Sequence, residues 1–122
     1  MNATQTIQTV VLNDHRFAVE ERNGNMRFNL TMMSKPYGTS KAPRQWLRTT
    51  SAQNYLKVLS AAIKRATAQN QVVTELVEVR RGGIPERQGT WANHYLIAIE
   101  YAQWLDPKFA IEVNMLLHDY MN

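Results

Sequence analysis

The chain has 122 residues, 44% of them hydrophobic, which suits one compact domain with a real core and leaves two domains cramped. It has no cysteine, which excludes disulfides, thiolate zinc sites and cysteine nucleophiles, and no run approaches the roughly 18 apolar residues of a membrane span. The net charge of +4 is modest but segregated: Arg22 to Thr74 contains no acidic residue, while nine of the 14 basic residues lie there. Segregation of this kind speaks about partners rather than fold, and it favours a polyanion. A solvated basic face would carry the same charges, so charge alone leaves both readings open.

Ile7 and Val10-Val11-Leu12 predict a strand closed by the turn signal Asn13-Asp14. Phe17 and Val19 alternate with Arg16, Ala18 and Glu20 in a second strand. Across a tight turn at Asn23-Gly24, Met26, Phe28 and Leu30 alternate with Arg27 and Asn29 in a third. The expected product is an antiparallel meander whose Met26, Phe28, Leu30 face needs a cover from later helices. Thr31 can cap a short helix running through Tyr37, with Pro36 near its end and Gly38 as terminator. After the Gly38-Thr39-Ser40 turn, Ala42-Pro43 places proline at the first position of a helix carrying Arg44, Gln45, Trp46, Leu47 and Arg48. Two short helices joined by a short turn form a helix-turn-helix candidate, a pattern shared with many proteins that never touch DNA. Tyr55, Leu59, Ala62, Ile63 and Ala66 give an apolar stripe to a helix expected from Ala52 to about Ala68.

Gln69-Asn70-Gln71 breaks that pattern, and Val72, Val73, Leu76, Val77 and Val79 read as a strand. From Arg80 to Gly89, three glycines, one proline and three arginines predict the exposed tip of a β-hairpin. Tyr95, Leu96, Ala98, Ile99, Ala102 and Leu105 then recur at helical spacing. Asp106-Pro107 supplies a cap and a first-position proline for a last helix, which carries Phe109, Val113, Leu116, Leu117 and Tyr120. Trp91 and Trp104 are expected in the core, and Trp46 against the strand meander.

Gly89-Thr90-Trp91, Leu96 and Ala98, Ala102-Gln103-Trp104 and Pro107-Lys108-Phe109-Ala110, preceded by Gly82-Gly83, together resemble the C-terminal signature of the KilA-N domain. That family comprises DNA-binding modules of bacteriophages and large DNA viruses and is similar to the fungal APSES domain. The likeness runs from about Val11 to the last residue, and departs from the family at Asn93-His94-Tyr95, where members usually carry a proline. It implies an α+β fold in which a small antiparallel sheet packs with helices, with a helix-turn-helix and a β-hairpin wing. It also implies a single DNA-binding domain over residues 1–122, and because the last helix carries no stop signal, this domain is expected to be the N-terminal part of a larger protein. The function implied is double-stranded DNA binding in phage or prophage regulation, in the cytoplasm of a bacterial host.

On this resemblance the helix from about Pro43 enters the DNA groove and Arg80 to Gln88 form the wing, with Glu86 an acidic departure at its tip. The candidate DNA-binding residues are Lys41, Arg44, Gln45 and Arg48 on the first element and Arg80, Arg81 and Arg87 on the second. Arginine can grip guanine and glutamine adenine in the major groove. Arg44 and Arg48 form a like-charged i, i+4 pair, which costs an isolated helix about 0.2–0.5 kcal/mol and so hints at an anionic partner.

The rival is a protein-interaction module, an antirepressor or anti-defence factor whose basic surface captures an acidic host or phage protein. Single-strand binding would require exposed aromatics along the basic surface, and Trp46, Tyr37 and Tyr55 are the ones placed to supply them. An enzyme is not expected. His15, His94 and His118 form no metal-binding motif, Gly82-Gly83 lacks the Lys-Ser/Thr of a phosphate-binding loop, and Glu100, Asp106, Glu112 and Asp119 are six or seven residues apart. Neither a cofactor, a metal nor a membrane partner is expected, and the oligomeric state is open.

Overall fold

The computed structural model describes residues 6–22, 25–66 and 75–121. Strands β1 (Thr6–Leu12), β2 (His15–Arg22) and β3 (Asn25–Asn29) form the expected meander. Asn13 turns the first hairpin at a φ of 54°, which asparagine tolerates better than most residues. The expected Asn23-Gly24 turn lies outside the described residues, but Arg22 and Asn25 pair across it. Strands β4 (Val77–Arg80) and β5 (Gly89–Ala92) form a second hairpin, and β5 also pairs with β3. The two units therefore merge into one five-stranded antiparallel sheet, ordered β1-β2-β3-β5-β4. Of the apolar run expected as a strand, Val72 and Val73 lie outside the described residues, as does the Gln69-Asn70-Gln71 break.

Strand alternation sends Phe17, Val19, Phe28 and Ala92 to one face, where they join a core with Ile97, Tyr101 and Phe109 of the later helices. Phe17 through Glu20 are all buried, so the other face of β2 is covered too. That second face carries Ala18, Glu20, Arg27 and Trp91.

Helix α1 (Leu30–Ser34) follows β3 without a loop. Its cap is Asn29 and not Thr31: Asn29 Oδ1 accepts from the Met32 amide at 3.1 Å. The Thr31 hydroxyl instead accepts the Thr90 amide of β5 at 2.9 Å. The expected helix through Tyr37 tightens to a 3-10 turn at Lys35–Tyr37, where Pro36 has no N–H to continue an α-helical ladder. A second 3-10 turn, Thr39–Lys41, leads to α2 (Pro43–Leu47).

Helix α2 is five residues long, with Arg48 as its C-cap. The next helix, α3 (Thr50–Ala66), begins at once because the Thr49 hydroxyl accepts from the Ala52 amide at 3.1 Å. Its stripe packs in part: Ala52 and Leu59 are buried and Tyr55 and Ile63 are half-buried against the core, whereas Ala62 and Ala66 of the expected stripe are exposed. Helices α4 (Tyr95–Leu105) and α5 (Pro107–Met121) pack on one another and carry most of the helical core. Asp106 caps α5 as expected, its Oδ1 accepting from the Lys108 amide at 3.1 Å. The other carboxylate oxygen accepts from the Tyr37 hydroxyl at 3.2 Å, and Tyr37 Oη also lies 2.5 Å from His15 Nε2. This chain of bonds ties the β1–β2 turn and the segment before α2 to the start of α5. Burial and the Asp106 carboxylate both push the Tyr37 phenol above its ordinary range, so it keeps the proton it donates.

Trp46 is buried at 2% exposure in the core cluster that also holds Phe17 and Phe28 of the meander, and its ring lies 5.3 Å from Tyr101 of α4. The same tyrosine anchors the approach to α2, its hydroxyl donating to the Lys41 carbonyl at 2.5 Å.

At Gly89 the backbone has a φ of 119°, and an added Cβ would meet the Thr31 side chain at 2.7 Å. Gly82 has a φ of 77° with nothing within 4 Å of the same position. Gly82→Ala is expected to cost about 1–2 kcal/mol from backbone conformation alone, and Gly89→Ala distinctly more, because steric conflict is added. Chemical denaturation of the two variants measures the difference.

His94 occupies the departure from the family pattern and caps α4, its Nδ1 accepting from the Leu96 amide at 3.1 Å. Burial lowers its pKa from the ordinary 6.5. A folded-state pKa below the unfolded one gives stability that is present above pH 6.5 and lost as pH falls through the folded pKa. Denaturation midpoints should therefore drop on acidification below pH 6.5, and His94→Asn, which caps without titrating, should flatten that part of the profile.

Candidate nucleic-acid interface

The hairpin tip is folded back over the second face of the sheet. Pro85–Arg87 form a 3-10 turn lying over β2. Asn29, at 0% exposure, donates through Nδ2 to the carbonyls of Glu86 at 3.1 Å and Gln88 at 2.9 Å. The Trp91 indole donates to the Arg87 carbonyl at 2.8 Å, and the Gln88 side chain to the Gly83 carbonyl at 2.8 Å. With its backbone held from beneath, the tip leaves Arg81, Gly82, Gly83, Ile84 and Arg87 exposed.

The seven candidate side chains divide into two groups. Arg80 is drawn inward: it stacks over the Trp91 ring at 4.1 Å, pairs with the fully buried Glu20 at 2.9 Å and reaches Glu78 at 3.3 Å. Lys41 is likewise engaged, its Nζ lying 4.1 Å above the Trp104 ring and donating to the Trp104 carbonyl in the last turn of α4 at 3.2 Å. A cation there complements the negative end of the helix. Arg44, Arg48, Arg81 and Arg87 are exposed, Gln45 is half-buried, and none of their side chains is bonded to another described residue.

Glu78 remains a carboxylate suited to this inner cluster. Burial alone would raise its pKa, but the Asn93 amide and then Arg80 and Arg27 outweigh burial and hold it below its usual range. Arg22 approaches Glu20 at 3.4 Å and Arg27 approaches Glu78 at 3.7 Å, so two cations of the acid-free segment are also neutralised.

Two adjoining clefts connect the free cations. The larger, about 670 Å³, lies between β2, α1 and the hairpin tip and includes Arg16, Thr31, Lys35, Arg81, Gly82 and Gly89 in its walls. The smaller, about 330 Å³, runs from Thr31 and Lys35 to Gly38, Pro43 and Arg44. Thr31 and Lys35 line both. The early acid-free segment and the late Gly/Arg turn thus meet on one side of the molecule. Arg16 and Lys35 were not among the candidate residues. Lys35 lay within the acid-free segment, a signal that could have found it; Arg16, one position in an alternating strand, gave none.

The aromatics that a single-strand reading requires are engaged elsewhere. Trp46 is buried, the Tyr37 hydroxyl donates to Asp106, and the Tyr55 hydroxyl donates to the Leu96 carbonyl at 3.4 Å. Among the described residues there is no cluster of three or more metal-ligating side chains, and no helix is long and apolar enough to cross a membrane.

Comparison with known proteins agrees with this architecture. The model of the KilA-N domain matches residues 10–122. The chain is 38% identical over 100 residues to Protein kilA of Escherichia phage P1, covering 82% of this chain and 33% of that protein. It thus spans about a third of the length of this curated relative. No solved structure matches the chain at a significant level. With a matched region that runs from the end of β1 through β2 and β3, both short helices, the hairpin and the paired C-terminal helices, the chain belongs to the KilA-N domain family, a family of DNA-binding domains.

Proposed function

We propose that this domain binds double-stranded DNA through α2, the first turn of α3 and the hairpin tip, acting as a helix-turn-helix with a wing in phage or prophage regulation. One observation carries the reading: Lys35 lines both clefts, with Arg44 on one side and Arg81 on the other, and none of the three has a carboxylate partner among the described residues. A surface of unpaired cations bordered by exposed polar side chains meets the two needs of duplex recognition, phosphate neutralisation and base-edge contact.

Helix α2 rises only about 7.5 Å over its five residues. It is too short to supply the base contacts alone. Thr50, Ser51, Gln53 and Asn54 at the start of α3 are exposed and extend the polar surface beyond Arg44 and Arg48. The reading therefore assigns Arg44, Gln45 and Arg48 to the groove with the α3 start, and Arg81 and Arg87 to phosphates. Lys41 and Arg80 support these elements from within.

The test is duplex binding across a salt series. Affinity of the unmodified domain should fall with salt at a log–log slope near −0.9 for each phosphate neutralised, and Arg44→Glu with Arg48→Glu should abolish binding. Absence of duplex binding by the unmodified domain, with capture of an acidic protein instead, would support the interaction-module reading.

A paired substitution separates the two classes of arginine. Arg81→Ala should leave stability within about 0.5 kcal/mol and reduce the salt slope by about 0.9. Arg80→Ala should destabilise the fold by about 3–5 kcal/mol, because it leaves Glu20 buried without its closest partner. Thermal denaturation and binding isotherms on the same preparations measure both.

A further inference from the structure

The larger cleft is built in a way that reaches beyond the two elements just assigned. Three of its lining residues, Arg16, Lys35 and Arg81, are exposed cations with no carboxylate partner among the described residues. Arg80 also lines it, but Glu20 and Glu78 neutralise it, which leaves Glu86 as the one unpaired carboxylate on the wall. Net charge in the cleft is positive. Its floor is fixed in place by buried bonds: Asn29 holds the Glu86 and Gln88 carbonyls, and Thr31 holds the Thr90 amide. Gly82 contributes wall with nothing within 4 Å of where a side chain would stand, so its backbone is accessible at close range.

We propose that this cleft seats a phosphodiester backbone segment of the duplex, flanking the part read by α2 and α3, and that Arg16 is a phosphate contact contributed by the sheet itself. The proposal rests on the duplex-binding reading above and adds to it a residue that belongs to neither the short helices nor the hairpin. Arg16, the second residue of β2, is exposed, pairs with Val11 of β1 and lines the cleft together with Lys35 and Arg81. Because the smaller cleft continues from Lys35 to Arg44, a strand leaving the helices meets Lys35 next and then the pair Arg81 and Arg16. At about 670 Å³ and open to solvent, the space is larger than a lone phosphate ion needs and suits an extended polyanion. Phosphate contacts of this kind set register and carry no sequence preference.

The experiment measures salt slopes for the unmodified domain, Arg16→Ala and Arg44→Ala on one long duplex and on versions trimmed stepwise from either end. Arg16→Ala should lower affinity equally for all sequences and reduce the slope by about 0.9 on the long duplex. Trimming one end should remove the same increment from the unmodified domain and nothing further from Arg16→Ala. An unchanged slope in Arg16→Ala, alongside a reduced one in Arg44→Ala, would overturn the cleft while leaving the duplex-binding reading intact. Inorganic phosphate that erases the Arg16 effect at constant ionic strength, with no dependence on duplex length, would assign the cleft to a free anion and overturn it too. Failure of the unmodified domain to bind any duplex would overturn both.

Discussion

The side of the molecule that carries the hairpin depends on the hydrogen bonds of one buried amide. Asn29 ends β3, caps α1 through its oxygen and grips two carbonyls of the hairpin tip through its nitrogen. A side chain with this much donor and acceptor capacity, at 0% exposure, leaves the tip little freedom to move relative to α1. The Gly89-Thr90-Trp91 motif supplies the other half of the joint. Gly89 lets Thr31 approach where a Cβ would collide, Thr90 gives its amide to the Thr31 hydroxyl, and Trp91 binds the Arg87 carbonyl with its indole. The hairpin is consequently a braced extension of the sheet.

Bracing also sorts the charges. Three basic residues on the covered face of the sheet, Arg22, Arg27 and Arg80, meet Glu20 or Glu78 there. Glu20 is fully buried, and such a carboxylate is tolerable only with cations beside it. Arg16, at the far end of β2, and Lys35, Arg44, Arg48, Arg81 and Arg87, beyond the sheet, have no carboxylate partner among the described residues, and they line the two clefts and the exposed surface of α2 and the hairpin tip. The same acids that stabilise the interior therefore leave the proposed binding surface unneutralised.

Much of this was legible in the sequence. Strand alternation placed all three strands of the meander, helical spacing of apolar residues placed α4, and prolines at the first position placed α2 and α5, because those signals are local. The cap of α1 was misread as Thr31. Either side chain could serve, and only the arrival of β5 shows that Thr31 is needed elsewhere. The short helix expected from Pro43 is present, with Arg48 as its C-cap, and the next helix starts at Thr50, two residues before the expected Ala52, because the Thr49 hydroxyl caps it. Arg80 and Arg81 are neighbours of identical chemistry, but Arg80 closes β4 over Trp91 and next to Glu20, whereas Arg81 lies past the end of the strand and is exposed. Lys41 looked like a member of the basic cluster until Trp104, 63 residues away, took it. Long-range partners decided which cations remain free, and no single segment contains that information.

The central claim is that residues around α2 and residues of the hairpin tip contact one and the same duplex. Amide chemical-shift mapping during a duplex titration tests it most directly. The account predicts that resonances from 44–54 and from 81–88 move together, with a common midpoint, while those of the exposed α5 face around Ile111 and Met115 stay in place. Shifts confined to one of the two regions, or centred on α5, would contradict it.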